Sequence, residues 1–88
     1  MPDTGPQLRV MIVDDERLAR RRIREMLRDE VDVAIVAECA TGPETVKAAA
    51  ELQPDLIFLD VQMPGLDGLS VSATFRGERA PLVIFVTA

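Results

Sequence analysis

The 88 residues predict an α/β fold built on a doubly wound parallel sheet, and three observations carry that reading. First, Leu8-Arg9-Val10-Met11-Ile12-Val13, residues 33–37, Leu56-Ile57-Phe58-Leu59 and residues 82–86 are short, nearly continuous apolar runs. Strands buried on both faces read this way, whereas half-solvated strands alternate. Second, the runs are separated by stretches of helical character, which places a parallel sheet between helix layers. Third, acidic residues stand where apolar runs stop: Asp14 and Asp15 after the first, Asp60 after the third.

Each element follows in order. Residues 1–7 form a Pro/Gly-rich lead expected to be flexible, and residues 8–88 form the domain. After the first strand, Ala19, Ile23, Met26 and Leu27 fall at i, i+4, i+7 and i+8, the apolar face of a helix. Residues 32–38 suit a second strand. Thr41-Gly42-Pro43-Glu44 is a helix start, with Thr41 as cap, Pro43 tolerated in the first turn and Glu44 favourable to the dipole. Val46, Ala49, Ala50 and Leu52 continue that helix as far as Gln53-Pro54. The third strand ends at Asp60, and the loop Met63-Pro64-Gly65-Leu66-Asp67-Gly68 follows. Residues 69–76 form a weaker helix, because Ser, Val and Thr have poor propensity. Gly77 ends it, and residues 82–86 form the fourth strand. The order is β-α-β-α-β-α-β, with Phe58, Phe75 and Phe85 as core candidates.

Composition narrows the function. A net charge of −5 repels phosphate backbones, so direct nucleic-acid binding by this segment is not expected. No apolar run approaches the roughly 20 residues that span a bilayer, and residues 1–7 lack the features of a signal peptide. One cysteine, Cys39, permits no internal disulfide; it is expected to be a small core residue, and the setting cytoplasmic. Six of the ten Lys and Arg residues fall between Arg17 and Arg28. Arg17, Arg20, Arg21, Arg24 and Arg28 are expected to form a solvated helix face.

In a doubly wound sheet, ligands gather beyond the carboxyl ends of strands where strand order reverses. Asp14, Asp15, Asp60 and Thr87 all stand at such ends. Three carboxylates brought together repel one another unless a cation neutralises them. Mg²⁺ suits this set, because it takes few carboxylates, keeps waters and completes its octahedron with phosphate oxygens. Asp14 or Asp15, Asp60 and a main-chain carbonyl of the Asp60 loop are the candidate ligands. Taken alone, Asp15 could equally cap the first helix, Asp60 could begin an ordinary turn, and Thr87 could be structural.

Three segments, in order, resemble the receiver domains of two-component response regulators: Ile12-Val13-Asp14-Asp15-Glu16, Leu59-Asp60-Val61-Gln62-Met63-Pro64-Gly65-Leu66-Asp67-Gly68, and Phe85-Val86-Thr87-Ala88. The stretch Asp15-Glu16-Arg17-Leu18-Ala19-Arg20 further resembles regulators with a LytTR-type DNA-binding output domain. The resemblance implies a flavodoxin-like fold with strand order 2-1-3-4 and a signalling module rather than an enzyme. It makes Asp60 the phosphoacceptor for a partner histidine kinase. Asp14, Asp15, Asp60 and the backbone carbonyl of Gln62 would bind Mg²⁺. Thr87 would be the switch residue, and Pro64 and Gly65 would shape the turn. Arg17, Arg20 and Arg21 would lie near the kinase contact. A carboxylate of ordinary acidity is ionised at neutral pH, so an aspartate nucleophile requires no general base.

The family pattern continues with a helix, a fifth strand ending in Lys and a last helix, none of which is present in the 88 residues; the only Lys is Lys47. The chain is therefore expected to be a partial receiver with impaired switching. Residues 82–86 would be a sheet edge prone to self-association or to exchange of elements. Two rival readings stand beside this one. A haloacid-dehalogenase-like phosphotransferase also uses a strand-end Asp with Mg²⁺, but wants a second Asp where Gln62 stands. A non-catalytic interaction module would carry the acidic pocket as a vestige.

Overall fold

The computed structural model describes residues 7–63, 66, 71, 73, 74 and 80–86. Its elements are β1 (Leu8–Val13), α1 (Arg17–Leu27), β2 (Val33–Cys39), α2 (Gly42–Leu52), β3 (Leu56–Asp60) and β4 (Leu82–Val86). All pairings are parallel and the sheet order is β2-β1-β3-β4, as expected from the sequence. The third expected helix, residues 69–76, lies mostly outside the described residues, as do Pro64, Gly65, Phe75 and Thr87. Within it, Val71 is fully buried.

Because successive side chains of a strand point to opposite faces, β1 divides its apolar residues between two cores. Val10 and Ile12 pack with Leu56, Phe58 and the α1 residues Ile23 and Leu27. Met11 and Val13 pack with Ile57, Leu59, Cys39, Met63, Leu66, Val71 and Ala49 of α2. Among the described residues α1 packs on one face and α2 on the other, which is why β1 from Val10 onward and β3 read as apolar runs. Cys39 is buried as expected, and burial pushes its thiol up from the ordinary cysteine value despite a bond with Thr45.

The two helices differ from the expected faces by a small rotation. On α1, Met26 is 77% exposed, while Ile23 and Leu27 face the sheet. The inward strip is centred nearer Arg20, which is half-buried, and at 3.6 residues per turn Met26 lies about a quarter turn from it. On α2, Ala49 and Leu52 turn inward, but Val46 and Ala50 are exposed, and Thr45 and Ala48 take the remaining inward positions. Thr45 can occupy this core position because its hydroxyl donates to the Thr41 carbonyl at 2.8 Å.

The start of α2 is a full capping box. The Thr41 hydroxyl accepts the Glu44 N–H at 3.2 Å, and the Glu44 carboxylate accepts the N–H groups of Thr41 at 3.2 Å and Ala40 at 2.9 Å. Bonding to these donors, Ala40 first, lowers the Glu44 pKa from the usual carboxylate value. At the other end, Arg9 donates to the carbonyls of Leu52 and Gln53, and its N–H reaches the Asp55 carboxylate at 2.8 Å. These bonds tie β1 to the end of α2 at the amino end of the sheet, opposite the acidic residues.

Phe85 departs from expectation: it is 52% exposed. It sits near the carboxyl end of β4, the outer strand of the described sheet, so it has a neighbouring strand on one side only. Phe58, on the interior strand β3, is half-buried against the α1 core.

Candidate functional site

β1 and β3 are neighbours, although β2 lies between them in sequence. Strand order therefore reverses at their junction, and the crevice beyond their carboxyl ends is the binding position of open α/β sheets. Asp14 follows β1 directly. Its N–H donates to the Cys39 carbonyl at 3.1 Å, which carries the β1–β2 ladder one residue into the loop. Its side chain is buried, and Oδ1 accepts the Glu16 N–H at 2.9 Å. Asp15 is exposed. The N-cap position of α1 falls to Glu16, whose side chain makes no capping bond, so Asp15 is not the helix cap.

Asp60 is the last residue of β3 and is only 9% exposed. Its Oδ1 accepts the Gln62 N–H at 3.0 Å, and its carbonyl accepts the Met63 N–H at 3.4 Å. The Val61 N–H reaches the Val86 carbonyl at 3.2 Å, so β4 braces the turn after Asp60. One carboxylate oxygen each from Asp14, Asp15 and Asp60 can be chosen so that all three lie within 4.8 Å of one another.

This geometry concentrates negative charge in a partly dry place. Burial raises the Asp14 pKa; the Glu16 N–H works against that, and the charges of Asp60, Asp15 and Glu16 push it further up. Among the described residues no Arg or Lys forms an ion pair with any of the three aspartates. Three converging hard oxygen donors, none ion-paired among the described residues, are a donor set that fits a small divalent cation such as Mg²⁺.

The sequence thus named three side chains that the fold does bring together. Gln62 is exposed, and its N–H is held by the Asp60 carboxylate. Thr87, Pro64 and Gly65 lie outside the described residues. Arg17 and Arg21 are exposed on α1, whereas Arg20 is engaged: it donates to the Asp14 carbonyl at 2.8 Å and pairs with Glu38 at 3.7 Å. Glu38 also accepts from Arg24 at 2.8 Å. Treating the arginines as one solvated face concealed this link. The signal for it was Glu38, a lone acid in the otherwise apolar run of β2, opposite an arginine-rich helix.

Comparison with known proteins agrees with this arrangement. The family model for the response regulator receiver domain matches residues 10–88. An uncharacterised response regulatory protein of Yersinia pestis is 48% identical over 81 residues, covering 92% of the chain and 34% of that protein. The transcriptional regulatory protein BtsR of Salmonella typhi is 43% identical over 81 residues, with the same 92% and 34% coverage. The chain thus spans about a third of the length of the curated relatives it matches. Among solved structures, a chain in the crystal structure of the P1 domain of CheA3 in complex with CheY6 from R. sphaeroides aligns with a TM-score of 0.79 and 30% identity. That alignment covers 94% of this chain and 65% of the other.

Proposed function

The chain belongs to the response regulator receiver domains, signalling modules of two-component systems, and on that premise we propose that Asp60 accepts a phosphoryl group from a histidine kinase in a Mg²⁺-dependent reaction. The observation that carries this reading is the convergence of Asp14, Asp15 and Asp60 at the carboxyl ends of β1 and β3. Receiver domains interact with histidine kinases or phosphotransfer domains and generally bind Mg²⁺ at an acidic pocket.

The family resemblance supplies the roles. Gln62 N–H holds Oδ1 of Asp60, which leaves the other carboxylate oxygen to attack phosphorus. A bond from that oxygen to phosphorus forms as the bond from phosphorus to the donor's imidazole nitrogen breaks. Asp14, Asp15, Asp60 and the Gln62 carbonyl would hold the ion. Mg²⁺, when bound, neutralises charge on the transferring phosphoryl oxygens. By the same resemblance, Thr87 would be the switch residue, and Pro64 and Gly65 would shape the turn. Arg17 and Arg21, exposed on α1, belong to the kinase-facing surface. Because the curated relatives include transcriptional regulators, the parent protein controls transcription through an output domain, of the LytTR DNA-binding type by the resemblance in residues 15–20.

The test is incubation with a small acyl phosphate or phosphoramidate, with and without Mg²⁺, followed by intact-mass measurement. A single hydroxylamine-labile phosphoryl adduct that requires Mg²⁺ and is lost in Asp60→Asn is expected. Turnover of the donor without an adduct, or an adduct that persists in Asp60→Asn, overturns the proposal.

A further inference from the structure

Arg20 lies on the first turn of α1, among arginines that otherwise face solvent, yet its side chain is only 18% exposed. Its Nη1 donates to the main-chain carbonyl of Asp14 at 2.8 Å, and its Nε lies 3.7 Å from Oε1 of Glu38 on β2. Glu38 is itself held, since its Oε2 accepts from Arg24 Nη1 at 2.8 Å. The peptide that begins at the Asp14 carbonyl connects the two aspartates of the β1–α1 loop. Around it, the Asp14 N–H donates to the Cys39 carbonyl of β2 and the Glu16 N–H donates to the Asp14 carboxylate.

We propose that Arg20 is a positioning residue for the acidic pocket: anchored by Glu38, it clamps the Asp14 carbonyl and so sets where the carboxylates of Asp14 and Asp15 stand. The clamp deepens the cation-site reading above and rests on it for its consequence, though not for its geometry. A guanidinium suits the task because its planar fork serves two acceptors in different directions at once, whereas an ammonium is a point charge. Residues that orient the ligands of a metal commonly matter to its binding nearly as much as the ligands do.

The sign of the effect separates this role from a purely electrostatic one. A positive charge near a cation site opposes cation binding, so an Arg20 acting by charge alone would, when removed, tighten Mg²⁺ binding. A clamp predicts the reverse. The experiment uses the intact chain and the variants Arg20→Gln, Arg20→Lys, Glu38→Gln and Arg24→Gln, with Mg²⁺ affinity read by calorimetry. Amide hydrogen exchange of Asp14 and Glu16 is read by NMR in metal-free buffer. Arg20→Gln is expected to weaken Mg²⁺ about 10-fold and to speed exchange at both amides. Arg20→Lys restores the charge but not the fork and stays weak. Glu38→Gln moves both readouts the same way by less. Arg24→Gln, which does not touch the Asp14 carbonyl, stays near the parent. Unchanged exchange in Arg20→Gln, or Mg²⁺ affinity that is equal or tighter, overturns the clamp. A parent chain that binds no Mg²⁺, with exchange still faster in Arg20→Gln, overturns the cation reading and supports the clamp. Should Arg20→Gln fail to fold, Glu38→Gln carries the same two readouts.

Discussion

Asp14 shows at the scale of one residue how a site can oppose the fold that carries it. Its carboxylate is buried, faces two further aspartates and has no cationic side chain paired with it among the described residues. A buried charge in that position costs stability unless something neutralises it. Replacing it by Asn keeps an oxygen for the Glu16 N–H and removes the charge. In chelator at neutral pH, Asp14→Asn is therefore expected to be more stable than the parent by about 1 kcal/mol, the usual size of such a stability–function exchange. Added Mg²⁺ should reverse the order, because a ligand at about tenfold excess over its Kd stabilises the binding form by roughly 1.4 kcal/mol. Urea titrations in chelator and in Mg²⁺ measure both. A parent chain more stable than Asp14→Asn in chelator would show that the pocket is not strained.

At the scale of elements, the start of α2 is the clearest case of local sequence dictating local structure. Thr41 and Glu44 satisfy three backbone N–H groups between them, so Thr41→Ala is expected to lower stability by about 1 kcal/mol. The Glu44 pKa lies below its ordinary value, so its contribution is present above the unfolded-state pKa and is lost as pH falls through the lowered folded one. An NMR titration of the Ala40 amide should give a midpoint below that of a free glutamate; a midpoint at or above it would remove Glu44 from the box. Thr41, Pro43 and Glu44 were legible in the sequence because a capping box needs only residues a few positions apart. β1 and β3 were legible because burial on both faces leaves a nearly continuous apolar run. The helix faces were less so. Thr45 gives no apolar signal in the sequence, because a hydroxyl counts as polar until its bond to the Thr41 carbonyl is known. Met26 fits the hydrophobic spacing, which cannot show that the half-buried Arg20 occupies part of the inward strip of α1. The site divided the same way: Asp14, Asp15 and Asp60 announce themselves at strand ends, whereas the Arg20–Glu38 link joins two elements and exists only once they pack.

At the scale of the whole molecule, the described sheet has two outer strands, and their side chains differ in exposure. β2 forms one edge, and its half-buried side chains lie against α1 and α2. β4 forms the other in the described sheet, and there Leu82, Ile84 and Phe85 are 65%, 39% and 52% exposed. β-Branched and aromatic side chains beside a row of strand N–H and carbonyl groups make a template for another strand. We propose that in the 88-residue polypeptide a second copy pairs along β4, since an identical strand offers the same apolar surface and a two-fold arrangement closes on itself. Size-exclusion chromatography with light scattering at micromolar concentration should then give a mass above that of one chain, falling on dilution. Ile84→Lys places a charge on the edge and leaves the acidic pocket untouched; it should return the chain to a monomer. It should also leave Asp60 phosphorylation unchanged, which separates loss of pairing from loss of fold. A parent chain that stays monomeric across the concentration range, or an Ile84→Lys variant that associates as the parent does, would place the association elsewhere or remove it.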